Sequence, residues 1–169
     1  MKKKPDLYLM AETGGKNAII VSRLADRDLA LKDTIQSAFG HSGQKCSACS
    51  LLILESEIYD DPHFKEQLRD CVESLDVSSA WNLKTKVNPL VLPPDGDLKQ
   101  GITSLASGEE WLVEPRQDPS NPHLLFPGVK WGVKEGSYSH QTEFFGPLLC
   151  VMRAENIDHA IRLANGTPY

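Results

Sequence analysis

No apolar run in these 169 residues approaches the roughly 20 needed to cross a bilayer, and the opening Met1-Lys2-Lys3-Lys4 lacks the apolar stretch of a secretory signal. A spanning helix is therefore not expected, and the default location is the cytoplasm. Basic charge is scarce too, with 18 Lys and Arg against 23 Asp and Glu and a net charge of -5. That balance offers no electrostatic case for a nucleic-acid partner or an anionic membrane surface. Four cysteines are too few in a chain this long for a disulfide framework, which fits a reducing compartment. No G-x-G-x-x-G follows any strand-like run, so the fingerprint of a dinucleotide-binding turn is missing. Internal repeats and low-complexity segments are missing as well.

What is present is ordinary for one compact globular domain: 40% hydrophobic and 24% charged residues. Residues 1–10 read as an entry segment or artificial junction, with a short strand at Asp6 to Met10, and residues 11–169 as the domain proper. The β-branched run Ala18 to Val21 predicts a buried strand. Asp26 or Asp28 caps a helix running to about Gly40, with Leu31, Ile35, Ala38 and Phe39 on one face. A strand at Ser50 to Leu54 follows, and then a helix opened by Asp61 and Pro62 that carries Phe64, Leu68, Cys71 and Val72 inward. Beyond an irregular stretch to Pro94 come a helix over Asp97 to Ala106 and strands at Trp111 to Val113, Val129 to Val133 and Leu148 to Met152. Asn156 caps a last helix with Ile157, Ala160, Ile161 and Ala164 inward. Strands alternating with helices predict an α/β fold, an open, largely parallel sheet flanked by helices.

One stretch organises the chemistry, His41-Ser-Gly-Gln-Lys-Cys46-Ser-Ala-Cys49, a small-residue turn between the first helix and the second strand. A cysteine on such a turn is well seated as a nucleophile, because nearby backbone N–H groups lower a thiol pKa. Cys46 and Cys49 also form a C-x-x-C pair, which elsewhere marks a redox dithiol or half a zinc site. A disulfide between them requires their sulfurs to approach to about 2 Å. The other cysteines, Cys71 and Cys150, have no His or Cys at ligand spacing, so no metal is expected; Cys71 reads as core. The five histidines show no dyad spacing and read as surface or loop residues.

Two further blocks shift the balance: Ala11-Glu12-Thr13-Gly14-Gly15-Lys16-Asn17, and Gln141-Thr142-Glu143-Phe144-Phe145-Gly146-Pro147. With Gly43-Gln44-Lys45-Cys46-Ser47 between them, the three resemble in order the signatures of the aldehyde dehydrogenase superfamily. Within it, the Ala-Glu-Thr-Gly-Gly opening and the Cys-Ser pair look most like the glutamate-semialdehyde (pyrroline-5-carboxylate) dehydrogenase module of bifunctional proline-utilisation proteins.

The resemblance implies an NAD-dependent oxidation of a small aldehyde, L-glutamate gamma-semialdehyde, to glutamate in proline catabolism. Cys46 would be the nucleophile, Glu12 the base that activates the hydrolytic water, and the Cys46 backbone N–H one oxyanion donor. Glu143 would hold the nicotinamide ribose, Phe145 would border both nicotinamide and substrate, and Ser47 would meet the substrate carboxylate. It further implies a Rossmann-like NAD-binding domain and a second oxyanion donor that these residues do not contain, hence a catalytic-domain fragment truncated at both ends. The parent would be oligomeric and fused to a proline dehydrogenase. Two alternatives stay open: an aldehyde dehydrogenase of broader specificity, and a non-enzymatic redox or metal-binding module built on Cys46 and Cys49.

Overall fold

The structure, a computed structural model, describes residues 6–11 and 13–169. Its frame is a five-stranded sheet in the order β1-β2-β7-β6-β3. The strands are β1 (Ala18–Val21), β2 (Leu51–Glu55), β3 (Glu110–Val113), β6 (Gly128–Trp131) and β7 (Leu148–Ala154). The β1–β2, β2–β7 and β6–β7 pairs are parallel, whereas β3 runs antiparallel to β6 at one edge. A small antiparallel ribbon, β4 (Arg116–Gln117) with β5 (Leu125–Phe126), lies outside this sheet. Helices α1 (Arg27–Phe39), α3 (Pro62–Glu73), α4 (Gly96–Thr103) and α6 (Ile157–Ala164) flank it, with single turns at α2 (Ser56–Tyr59) and α5 (Tyr138–Gln141).

The local chemistry explains these elements. Leu51, Leu52, Ile53 and Leu54 are all fully buried, because β2 lies between two parallel neighbours and both its faces are covered. The even residues join Phe39, Leu68 and Val151 in one core layer, and Leu51 and Ile53 join Leu98, Phe144 and Met152 in the other. Asp26, Asp61 and Asn156 each accept a backbone N–H of the helix they open.

Four expectations are corrected. Asp6 to Met10 forms no strand, and Leu7, Tyr8, Leu9 and Met10 are exposed. Helix α4 stops at Thr103, short of Ala106, because the Thr103 and Ser104 hydroxyls donate to the Lys99 and Gln100 carbonyls and satisfy the helix end there. On α6 only Ala160 and Leu163 are buried; Ile157 and Ile161 stay about half exposed, since the two-turn helix presents a narrow stripe to the sheet. His140 is fully buried rather than on the surface. Its Nδ1 accepts from Gly136 N–H at 3.0 Å, which leaves the proton on Nε2 to donate to Leu163 C=O at 2.9 Å and fix the end of α6.

Candidate active site

Parallel strands in register begin at the same edge, so the residues leading into them become neighbours however distant they are in sequence. Ala18 pairs with Leu51, Leu51 with Cys150, and Leu148 with Gly128. The Gly14-Gly15 segment enters β1, the cysteine turn enters β2, and Glu143 to Gly146 enters β7. The structure thereby brings all three sequence blocks together at the amino edge of the sheet. Residues from each of them line one narrow crevice, among them Gly15, Gly43, Lys45, Glu143 and Phe145.

The cysteine turn is strained and over-determined. After α1 the chain passes through three successive positive φ values, His41 at 53°, Ser42 at 57° and Gly43 at 67°. Left-handed backbone costs a residue with a Cβ about 1–2 kcal/mol, so two such residues persist only because neighbours hold them. Gln44 N–H closes the turn on His41 C=O at 3.0 Å. The Ser42 hydroxyl, itself buried, donates to Asn88 C=O. Gly43 presses against the Gly146 backbone: a Cβ there would lie 2.6 Å from the Gly146 carbonyl carbon.

Asn17 holds the far side of the turn. Its Nδ2 donates to Cys46 C=O at 2.7 Å and to Ala48 C=O at 3.2 Å, while its own carbonyl accepts Ser50 and Leu51 N–H, each at 3.0 Å. With its carbonyl taken, Cys46 carries an exposed thiol, and its N–H makes no hydrogen bond to another described backbone group. An exposed cysteine beside an N–H with no backbone partner among the described residues is what addition to a carbonyl carbon requires, the N–H serving the oxygen that becomes negative.

Of the other residues singled out in the sequence, Ser47 is exposed beside Cys46, Glu143 is half-buried, and Phe145 is 46% exposed with φ at +50°. Glu12 lies outside the described residues. Gly14 is hemmed in by Glu143 and Tyr169, with Glu143 Oε2 3.3 Å from where its Cβ would be, and Gly15 faces Cys46 C=O. The segment that follows Glu12 thus passes between the cysteine turn and the Glu143 carboxylate.

Cys49 does not partner Cys46. It is buried, its thiol donates to Leu51 C=O at 3.2 Å, and burial pushes its pKa up to about 12. A disulfide would have to pull Cys49 out of the core, so the dithiol reading is corrected. Among the described residues, no group of three or more His, Cys, Asp or Glu could hold a metal ion. Cys150 is wholly buried and its thiol is likewise pushed up by desolvation. Cys71 is half-buried at the rim of a groove between α1 and α3 rather than fully in the core.

Three residues near the crevice were quoted within the sequence blocks but given no role: Asn17, Gln44 and Lys16. Lys16 is 4% exposed, and its Nζ lies 4.5 Å from the Phe144 ring centroid with no hydrogen-bond partner among the described residues. Lys130 approaches the same ring at 5.7 Å, but it pairs with Glu109 at 3.4 Å and donates to Ser104 C=O and Ser139 Oγ. Desolvation, ahead of every nearby charge, therefore lowers the Lys16 pKa from 10.5. The unfolded chain then binds the extra proton from the folded pKa up to 10.5, so stability rises with pH across that window. Relative to Lys16→Met, the wild type should gain stability toward pH 10.5, by up to about 1.4 kcal/mol per pH unit where only the unfolded amine is charged. The buried thiols are common to both proteins and cancel. Urea titrations of the two from pH 7 to 10.5 measure the difference, and a flat difference would contradict a desolvated amine.

Comparison with known proteins fits this geometry. A model of the aldehyde dehydrogenase family matches residues 6–169. A 1-pyrroline-5-carboxylate dehydrogenase of Bacillus thuringiensis (strain Al Hakam) is 32% identical over 162 residues, covering 95% of this chain and 31% of that protein. Among solved structures, proline utilization A of Corynebacterium freiburgense superposes with a TM-score of 0.86 at 45% identity, over 91% of this chain and 16% of that one. Betaine aldehyde dehydrogenase of Staphylococcus aureus in complex with NAD+ gives a TM-score of 0.81 at 27% identity, over 94% of this chain and 32% of that one. The chain thus spans about a third of the length of the curated relative.

Proposed function

This chain belongs to the aldehyde dehydrogenase family, and from that premise we propose that it is the cysteine-bearing catalytic segment, residues 11–169, of an NAD-dependent enzyme oxidising L-glutamate gamma-semialdehyde to glutamate. One observation carries the reading: Gly15 before β1, Gly43 and Lys45 of the turn that bears the exposed Cys46 before β2, and Glu143 and Phe145 before β7 line one crevice from three separate strand entries. The substrate assignment is supported by the 45% identity to the proline utilization A structure, against 27% to the betaine aldehyde enzyme. As the sequence resemblance implies, the segment would act beside a proline dehydrogenase in one oligomeric protein of the cytoplasm.

The chemistry follows from the residues. The Cys46 thiolate, its proton released to solvent, adds to the aldehyde carbon, the carbonyl π pair moves to oxygen, and the Cys46 N–H stabilises the oxyanion. With a hydride acceptor in place, collapse of the oxyanion would release hydride from the carbon and leave the C–S bond as a thioester. Water then cleaves the thioester to the acid and the free thiol, with Glu12 as its base. Glu143 and Phe145 suit a bound dinucleotide, since a carboxylate offers two acceptors to a ribose diol and an exposed ring offers a flat apolar wall. NAD, when bound, supplies the hydride acceptor. Ser47, beside the thiol, offers a hydroxyl to the substrate carboxylate.

A second reading, an aldehyde dehydrogenase of broader specificity, is favoured by the likeness to the betaine aldehyde enzyme. The two are separated by kcat/KM of the complete reading frame. Glutamate semialdehyde should exceed betaine aldehyde and benzaldehyde by at least about tenfold, since losing a substrate group that the site hydrogen-bonds is costly, and Cys46→Ala should abolish turnover of all three. Equal values would remove the substrate assignment and leave the family.

A further inference from the structure

Gln44, two residues before the nucleophile, is engaged at both ends of its side-chain amide. Its Oε1 accepts Val91 N–H at 3.0 Å, and its Nε2 donates to Phe145 C=O at 3.2 Å. One planar group thus spans from the Asn88-to-Leu92 segment, 47 residues away, to the Glu143-to-Gly146 segment, 101 residues away. Neighbouring contacts run along the same seam, with Ser42 Oγ donating to Asn88 C=O and Gly43 against the Gly146 backbone.

The Phe145 end of this tie is the informative one. Phe145 has a φ of +50°, a left-handed conformation that its Cβ disfavours, and its ring is 46% exposed, so core packing does not hold it in place. Released, the residue would relax toward negative φ and carry its ring away from the crevice it shares with Lys45 and Ala48 of the cysteine turn. The hydrogen bond from Gln44 to its carbonyl opposes that relaxation.

We infer that Gln44 is a positioning residue that sets size selectivity at Cys46, by locking the Phe145 ring as a fixed wall of the mouth. This rests on the reading of Cys46 as nucleophile and Phe145 as substrate wall. Only glutamine meets both demands at this length. Glutamate keeps the acceptor toward Val91 and loses the donor toward Phe145, and methionine loses both. The two substitutions should therefore loosen Phe145 alike while differing in stability.

The test needs no cofactor. A p-nitrophenyl ester acylates a cysteine when the thiolate adds to the ester carbonyl and the C–O bond breaks, giving a thioester and coloured p-nitrophenolate. On the purified chain, the burst rate with p-nitrophenyl acetate divided by that with the bulky p-nitrophenyl pivalate reads the width of the mouth. Alkylation by the small probe iodoacetamide controls for thiol reactivity, and Cys46→Ala gives the blank. In Gln44→Glu and Gln44→Met the acetate preference should fall about fivefold or more, and in a Phe145→Gly background the same changes should shift it by less than about twofold, since the wall they act through is gone. Should Gln44→Met fail to fold, Gln44→Glu decides alone, because it keeps the Val91 bond.

An unchanged ratio, or an equal shift in both backgrounds, overturns the inference. A shift confined to the Phe145 background, in a protein whose complete reading frame oxidises no aldehyde, upholds the tie and removes the dehydrogenase reading. Aldehyde oxidation with an unchanged ratio does the reverse. A Cys46 inert to both esters and to iodoacetamide overturns both.

Discussion

Replacing Gly43 by alanine is expected to destabilise the fold by at least about 3 kcal/mol, well beyond the cost of a left-handed alanine alone. At φ +67° the added methyl carbon would lie 2.6 Å from the Gly146 carbonyl carbon and 3.0 Å from Ala38 C=O. Both obstacles are backbone, so no rotamer change relieves them, and the turn must separate from the segment leading into β7. Gly136 supplies the control: its φ is +75°, yet an added Cβ there would meet nothing within 4 Å. Gly136→Ala should therefore register only the conformational penalty of about 1–2 kcal/mol. Urea unfolding of both variants gives the comparison. If Gly43→Ala falls within about 0.5 kcal/mol of Gly136→Ala, the two segments do not depend on each other as described.

Mixed with glutamate semialdehyde and NAD, these 169 residues by themselves are expected to form no measurable NADH, although Cys46 stays reactive. Dinucleotide affinity in α/β proteins comes largely from a pyrophosphate held at a helix N-terminus and a ribose held by an acidic residue of a Rossmann half. The Gly-rich turn that marks such a half is missing from this sequence, and Glu143, in its proposed role, would offer contacts to one ribose only. Where the resemblance implies two oxyanion donors, the Cys46 N–H alone would cost a further two to three orders of magnitude in rate, roughly. The thiol itself should behave as its surroundings dictate. Brief iodoacetamide treatment followed by mass spectrometry should find label on exposed Cys46 first, on half-buried Cys71 second, and last on Cys49 and Cys150, whose burial keeps them protonated. Absorbance of reduced cofactor and calorimetry test the first half of this expectation. NADH formation that disappears in Cys46→Ala, or NAD binding in the low micromolar range, would show the chain to be self-sufficient, and preferential labelling of Cys71 would unseat Cys46 as nucleophile.

The strand entries were legible because they are written in local pattern. An apolar β-branched run names β1 and a leucine-rich apolar run names β2, Asp61-Pro62 announces α3, and the three blocks stand in order along the chain. Their meeting at one sheet edge needed only the inference that the strands are parallel. Illegible was everything settled by a side chain reaching across sequence. Asn17 and Gln44 act over 29, 47 and 101 residues, and such spacings leave no periodic trace. The left-handed His41 and Ser42 were hidden for a different reason. Neither residue type demands that conformation, and Gly43 alone hinted that the chain must bend there. His140 resembles any loop histidine until α6 packs beside it and its two ring nitrogens find Gly136 and Leu163.

The Gln44 to Phe145 bond also says something about time. Its ends are 101 residues apart, and closing so long a loop before the intervening strands have paired forfeits chain entropy that one hydrogen bond does not recover. The left-handed turn has the same dependence, since beyond its one internal hydrogen bond, Gln44 N–H to His41 C=O, its supports are Asn88 C=O, which takes the Ser42 hydroxyl, and the Gly146 backbone against Gly43. Sheet pairing must come first, and the crevice must be the last region to assemble and the first to open when the native state fluctuates. In stopped-flow refolding, the sheet signal should therefore precede the return of native Cys46 alkylation kinetics; simultaneous recovery would refute that order. Cys46, the proposed nucleophile, thus stands where three late-closing segments meet, and the chemistry proposed for it would become possible only once the slowest contacts are made.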